Sequence, residues 1–182
     1  MKTIRAALIL FLMLGILTAL PLYSEDSDLR DLCKKATKGT IEEREAAVRQ
    51  LRNFLDQKEV IKTYATVLKK ETEVEVILSA LESIRSKDAA PLFEFILPYL
   101  WHDDLDVRRN ASLSLAASDR AKAEKSLLSE AKSSGKNAPE AMRALSRFLE
   151  NADTGKLLPY LKSSNGDVRA VTIASLMKLG RF

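Results

Sequence analysis

The sequence predicts an all-α protein built from about five stacked helical hairpins, and three observations lead there. Only six glycines and five prolines interrupt 182 residues, and the stretches between them are rich in Ala, Leu, Glu, Lys and Arg, the strong helix formers. The tetrapeptide Leu97-Pro98-Tyr99-Leu100 recurs unchanged as Leu158-Pro159-Tyr160-Leu161, two units further along the chain. The leucines Leu51, Leu81, Leu115, Leu145 and Leu176 recur at a nearly constant interval of about thirty residues, a period that belongs to helix–turn–helix repeats.

Composition bounds the rest. A hydrophobic fraction of 46% beside 30% charged residues is that of a folded chain rather than a disordered one. Residues 1–24 read as a signal peptide, because Lys2 and Arg5 precede an uncharged apolar run from Ala6 to Leu20 that Pro21 interrupts. As a helix that run would reach only about 22 Å, short of a hydrocarbon core of roughly 30 Å, which favours cleavage over a lasting anchor. The Ser24–Glu25 bond is the expected cut, with the bond after Ala19 second. Lys2 and Arg5 leave with that segment, so basic residues outnumber acidic ones by only two, and the pI near 9.1 overstates any attraction to polyanions. The expected location is periplasmic or secreted, with no nucleic-acid partner and no membrane span after cleavage.

The period divides residues 25–182 into units of approximately 25–57, 58–88, 89–118, 119–152 and 153–182. In the first unit Cys33, the sole cysteine, excludes an internal disulfide and reads as a small apolar residue inside a helix. Arg44, Ala47 and Leu51 begin the repeated pattern, and Ile77, Ala80 and Leu81 carry it into the second unit.

In the third unit Leu92, Phe93, Ile96, Leu97 and Leu100 recur at helical spacing. Pro91 suits the first turn of that helix, and Pro98 should tighten the last one. After the polar connection Trp101 to Asp104, a second helix is expected near Asp106, whose carboxylate would cap free backbone N–H groups. Val107, Ala111, Ser114, Leu115 and Ser118 then share one face.

Ala141, Ala144 and Leu145 repeat that face in the fourth unit. In the fifth, Pro159, the connection Lys162 to Gly166, a cap at Asp167 and the stripe Val168, Thr172, Ser175, Leu176 and Leu179 repeat it again. Gly180 can close this helix in a left-handed conformation.

Asp-Val-Arg, followed along the helix by Ala, a small residue and Leu, and preceded by a Leu-rich helix, resembles the HEAT repeat family in its short variety of roughly thirty residues. The resemblance covers about 26–182 and is strongest over 89–118 and 153–182. It departs from the pattern at Glu73-Val74 and at Asn137-Ala138, where Val-Arg is expected. What it implies is a right-handed α-α superhelix, an α-solenoid, whose neighbouring hairpins share one continuous core. It also implies that Arg108 and Arg169 are ladder residues bonding within and between repeats.

Candidate sites are few. His102 with Asp103 and Asp104 supplies one imidazole and two loop carboxylates, too few convergent ligands for zinc. Nothing in the sequence resembles a nucleophile with its base, a phosphate-cradling glycine loop or a catalytic carboxylate pair, so neither catalysis nor a cofactor is expected. Asn110-Ala111-Ser112 fits a glycosylation sequon but falls inside a helix, as a chance match would.

The resemblance places recognition on the surface lined by the second helices. There Arg49, Arg52, Arg109, Arg143, Arg147 and Lys178 face away from the apolar stripe and would favour an acidic protein partner. Trp101 is a further binding candidate, weighed against packing over the end of its own hairpin. Leu157, Leu161, Ile173 and Met177 would leave an apolar end for a second copy or a partner to cover.

The expected function is therefore that of an exported, non-catalytic scaffold or adaptor. Short repeats of this kind also resemble those of chromophore lyases and of a DNA-glycosylase group, whose cytoplasmic setting conflicts with an export segment. A structural envelope component assembling through its repeat ends is the third class.

Overall fold

The computed structural model of the protein describes residues 22–133, 135–149 and 153–180, with side chains for all but 22–26 and 87. The apolar run from Ala6 to Leu20 and the pair Arg181-Phe182 lie outside the described residues. Among the described residues every regular element is helical, and no helix is long and apolar enough to cross a membrane.

The helices fall into pairs. The first pair is α1 (Leu22–Lys38) with α2 (Ile41–Leu51), and the second is α3 (Lys58–Lys70) with α4 (Val74–Ser83). The third begins with a composite element, 3-10 turn Lys87–Leu92, α5 (Phe93–Ile96) and 3-10 turn Leu97–Trp101, which leads into α6 (Leu105–Lys132). Next comes α7 (Ala138–Ser146), then α8 (Thr154–Leu157) with the 3-10 turn Leu158–Lys162, and finally α9 (Gly166–Lys178).

The long α6 is two helices in series. Asp119 breaks it with non-helical angles, φ −155° and ψ 90°, and its carboxylate accepts a bond from the Lys122 amide at 2.9 Å, restarting the helix. Residues 105–118 thus close the third pair, and 120–132 open a fourth with α7.

Packing follows two rows. In one row α2 lies against α4, α4 against α6, and α7 against both α6 and α9. In the other, α1 lies against α3, and α3 against α5 and the turn before it. One apolar cluster runs from Leu29 to Leu176 through both rows.

Leu51, Leu81, Leu115, Leu145 and Leu176 are all fully buried in it, at 0% exposure, so the five period-marking leucines occupy one kind of environment. Ala47, Ile77, Ala111, Ala141 and Thr172, one helical turn earlier, are buried as well. At about 25 cal/mol per Å2 of apolar surface, each buried leucine contributes roughly 2 kcal/mol.

The repeated Leu-Pro-Tyr-Leu has a mechanical role. Pro98 and Pro159 each sit at the start of a 3-10 turn, the tightening that a residue without an N–H imposes at a helix end. This sets the tyrosines pointing backward: the Tyr99 hydroxyl donates to the Leu68 carbonyl at 2.7 Å, and the Tyr160 hydroxyl to the Leu128 carbonyl at 2.9 Å. Each reaches the preceding first-row helix, and Leu68 lies in the last turn of α3, where carbonyls lack helical partners.

Three sequence expectations are corrected here. The caps of α6 and α9 are Asp104 and Asn165, just ahead of Asp106 and Asp167: Asp104 accepts from Val107 N at 2.9 Å, and Asn165 from Asp167 N and Val168 N. Asp106 and Asp167 instead occupy the first turn, where they face the positive end of the dipole. Leu157 does not contribute to an apolar end, being fully buried, while Leu161 packs against the core.

Other expectations match. Cys33 is a buried thiol in α1, and burial, the largest influence on it, raises its pKa. Gly180 takes φ +71° after α9. Gly39, which was not singled out from the sequence, serves the α1–α2 turn, where a Cβ would sit 2.7 Å from that of Glu43 and 2.8 Å from the Lys35 carbonyl oxygen. Asn110 of the sequon is 7% exposed, with its amide bonded to the Asp106 carbonyl, so the acceptor nitrogen is not presented to solvent.

Candidate functional site

The second-row helices α2, α4, α6 and α7 present a ladder of arginine–glutamate contacts, built from residues near their first turns. Arg44 begins it. Its Nη1 donates to the Gly39 carbonyl of its own hairpin turn at 2.9 Å, while Nε and Nη2 grip Glu71 of the next hairpin at 2.8 and 3.1 Å. Glu71 is 7% exposed and also accepts from the amides of Thr72 and Glu73. Burial works against its ionisation, but the Arg44 bonds and those two amides outweigh burial and hold its carboxyl below the usual range.

Arg108 repeats the arrangement two units further on. Its Nη1 donates to the carbonyls of His102 and Asp103, both at 2.7 Å, and its Nε lies 3.6 Å from Glu140 Oε1 on α7. Arg169 keeps the local half, bonding the carbonyls of Ser163 and Ser164 at 2.7 and 3.0 Å. The acceptors Glu71 and Glu140 belong to the second and fourth units, which lack the arginine themselves.

Glu140 gathers three arginines around one carboxylate. Besides Arg108, Arg147 Nη2 donates to its Oε1 at 3.1 Å and Arg143 Nη1 to its Oε2 at 3.2 Å. Arg147 also lies 3.5 Å from the Ser112 hydroxyl. The Glu140, Arg147 and Arg108 side chains are only 15%, 17% and 22% exposed, whereas Arg143 is half exposed. Three guanidinium groups therefore surround one carboxylate, and the buried Arg108 Nε has no hydrogen-bond partner among the described residues. Arg109, the neighbour of Arg108 on α6, is exposed and makes no ion pair or side-chain hydrogen bond with the described residues.

The other sequence-selected residues divide. Arg49 is held by Glu45 at 2.6 Å and by the Ser79 hydroxyl at 3.2 Å, so it stitches α2 to α4. Arg52 lines a separate cleft of about 410 Å3 with Asp56, Arg85 and Asp88. Trp101 is half-buried against the core, the packing alternative weighed for it. Lys178 is exposed in the last turn of α9.

The ridge is consequently not basic throughout: exposed Glu42, Glu75 and Glu82 mark its beginning, and the cationic excess gathers on α6 and α7. Glu140 and Ser112 were missed from the sequence. Only the repeat register, which puts Glu140 in the unit that follows Arg108, could have pointed to the former.

The His102 Nδ1 accepts from the Asp104 amide at 3.1 Å within the loop. Among the described residues no group of three or more His, Cys, Asp or Glu is placed to hold a metal ion.

Fold and surface together define an all-helical protein of packed hairpins with a cationic patch on its second row of helices. No protein-family model matches the chain, and no curated protein does. Among solved structures, an engineered protein from the Northeast Structural Genomics Consortium is similar to it: 19% identical, over 91% of this chain and 94% of that one, at a TM-score of 0.38.

Proposed function

We propose that this chain is an exported, non-catalytic scaffold: an α-solenoid of five HEAT-like hairpins that holds an acidic segment of a protein partner on its second-row helices. The observation that carries this reading is the imbalance around Glu140, where three arginines meet one carboxylate beside Arg109, which pairs with no described residue. Glu140 orders the guanidinium groups of Arg147 and Arg143 without neutralising them. A partner carboxylate can then be gripped by cations whose side-chain entropy is already spent in the free protein.

The export reading rests on Lys2, Arg5 and the apolar run Ala6 to Leu20. The absence of a catalytic constellation in the sequence favours a scaffold over the lyase or glycosylase class, and the patch favours it over a purely structural envelope component.

The test has two arms. Fractionation of the native host with N-terminal sequencing of the recovered protein locates it and its processed end. In the second arm a photo-crosslinking residue replaces Ala116, on the α6 face shared with Arg109, and the captured partner is identified with and without Arg109→Glu/Arg143→Glu. Both arginines are exposed and Glu140 keeps its contacts with Arg108 and Arg147, so the double variant should fold, as circular dichroism checks, and lose capture about tenfold or more, with wild-type capture weakening as salt rises. Capture that is indifferent to both salt and charge reversal sinks the reading.

A further inference from the structure

Ala170, Ile173, Ala174 and Met177 form an apolar stripe at helical spacing along α9, all four exposed, Ile173 by 45% and Met177 by 62%. In the repeat register the counterparts of Ile173 are Val48, Leu78, Ser112 and Met142. Val48, Ser112 and Met142 are fully buried and Leu78 is half-buried, because the following hairpin covers each. On α9 the same face is uncovered by any described residue.

The opposite end of the stack differs in chemistry. The leading face of α2 exposes Glu42, Ala46 and Gln50, whereas the counterparts of Ala46 and Gln50 in the next unit, Val76 and Ala80, are fully buried. Stacking copies head to tail would press this polar face onto the apolar stripe and leave its carboxylate and amide groups without partners.

We propose that two copies of the chain pair through α9, helix against antiparallel helix about a two-fold axis, each covering the other's stripe. Small Ala170 and Ala174 alternate with larger Ile173 and Met177, so a two-fold partner offers a side chain opposite each gap. The flanking charges agree. Asp167 and Lys178 lie on the same flank of the stripe at opposite ends of α9, about 16 Å apart along its axis. Antiparallel pairing sets Asp167 beside Lys178 of the partner subunit, twice per dimer. The dimer would leave the α6–α7 patch of each copy free, making the scaffold bivalent.

The test uses the protein as recovered from expressing cells. Sedimentation at rising concentration should show a monomer–dimer equilibrium. Ile173→Glu, and separately Met177→Glu, should weaken it about tenfold or more while leaving helicity unchanged, and the melting temperature unchanged at concentrations where wild type is monomeric, since both residues are exposed in the single chain.

Ala174→Cys lies near the two-fold axis and should give a covalent dimer on mild oxidation, while Ala121→Cys, exposed elsewhere, should not; the native Cys33 is buried and does not interfere. A strict monomer at the highest attainable concentration overturns the proposal, as does equal crosslinking at both cysteines or a stripe occupied by a heterologous protein while the purified chain stays monomeric. A wild-type chain that forms no dimer while partner capture at α6–α7 persists rejects this inference and spares the scaffold reading, on which only the bivalency rests.

Discussion

Replacing Glu71 by glutamine removes one charge from the first rung of the arginine ladder at almost constant volume. The carboxylate accepts four hydrogen bonds, two from Arg44 at 2.8 and 3.1 Å and two from the amides of Thr72 and Glu73 at 3.0 and 3.1 Å. Glutamine offers one acceptor oxygen where glutamate offers two, so its NH2 must face a donor, either the guanidinium or an amide. Breaking a fully buried pair by removing one partner costs about 3–5 kcal/mol. Here the Arg44 side chain is 20% exposed and keeps the Gly39 carbonyl, so water recovers part of that and the expected loss is about 2–3 kcal/mol at neutral pH.

The pH dependence has a definite sign. The folded carboxyl titrates below its ordinary value, so the unfolded chain binds the proton more tightly and stability rises with pH across the window. The contribution is complete above the ordinary glutamate value of about 4.3 and is lost as pH falls through the lowered folded value. Urea unfolding of wild type and Glu71→Gln at several pH values should therefore give curves that differ by the full amount at pH 7 and converge in acid. A difference below about 0.5 kcal/mol at pH 7, or one that persists undiminished in strong acid, would refute a charge-based role for the rung.

Leu115→Ala, in a fully buried position with hairpins on both sides, should cost about 3–5 kcal/mol in urea denaturation with an unchanged m-value. A cost below about 1 kcal/mol would mean that the period-marking leucine is not a core element. Tyr99→Phe should cost about 1–2 kcal/mol by deleting the buried bond to the Leu68 carbonyl, and Tyr160→Phe less, because water reaches the Leu128 carbonyl more readily. Equal stability of wild type and both variants in a thermal melt would count against the backward-reaching tyrosines as ties between neighbouring helices.

Helical content, the pairing of helices within each hairpin and the identity of the core were legible in the sequence because each is written in short-range periodicity. The spacing of apolar side chains at three and four positions marks a helical face, and its return after about thirty marks the next hairpin. Leu51, Leu81, Leu115, Leu145 and Leu176 could be selected for that reason, and all five are fully buried. Pro98 and Pro159 were legible for an equally local reason, the missing N–H.

Tertiary structure decided what depends on contacts between hairpins. Asp104 rather than Asp106 caps α6 because the loop geometry, fixed by Arg108 holding the carbonyls of His102 and Asp103, sets which carboxylate reaches the free amides. Of the arginines chosen from their helical face, Arg49 and Arg147 are bound by Glu45, Ser79, Glu140 and Ser112, while Arg109 is unbound among the described residues. A helical wheel gives the direction of a side chain but not what the neighbouring hairpin places opposite it. The glutamates that meet Arg44 and Arg108 each stand a whole repeat away along the chain, a separation closed only by the packing of one hairpin on the next.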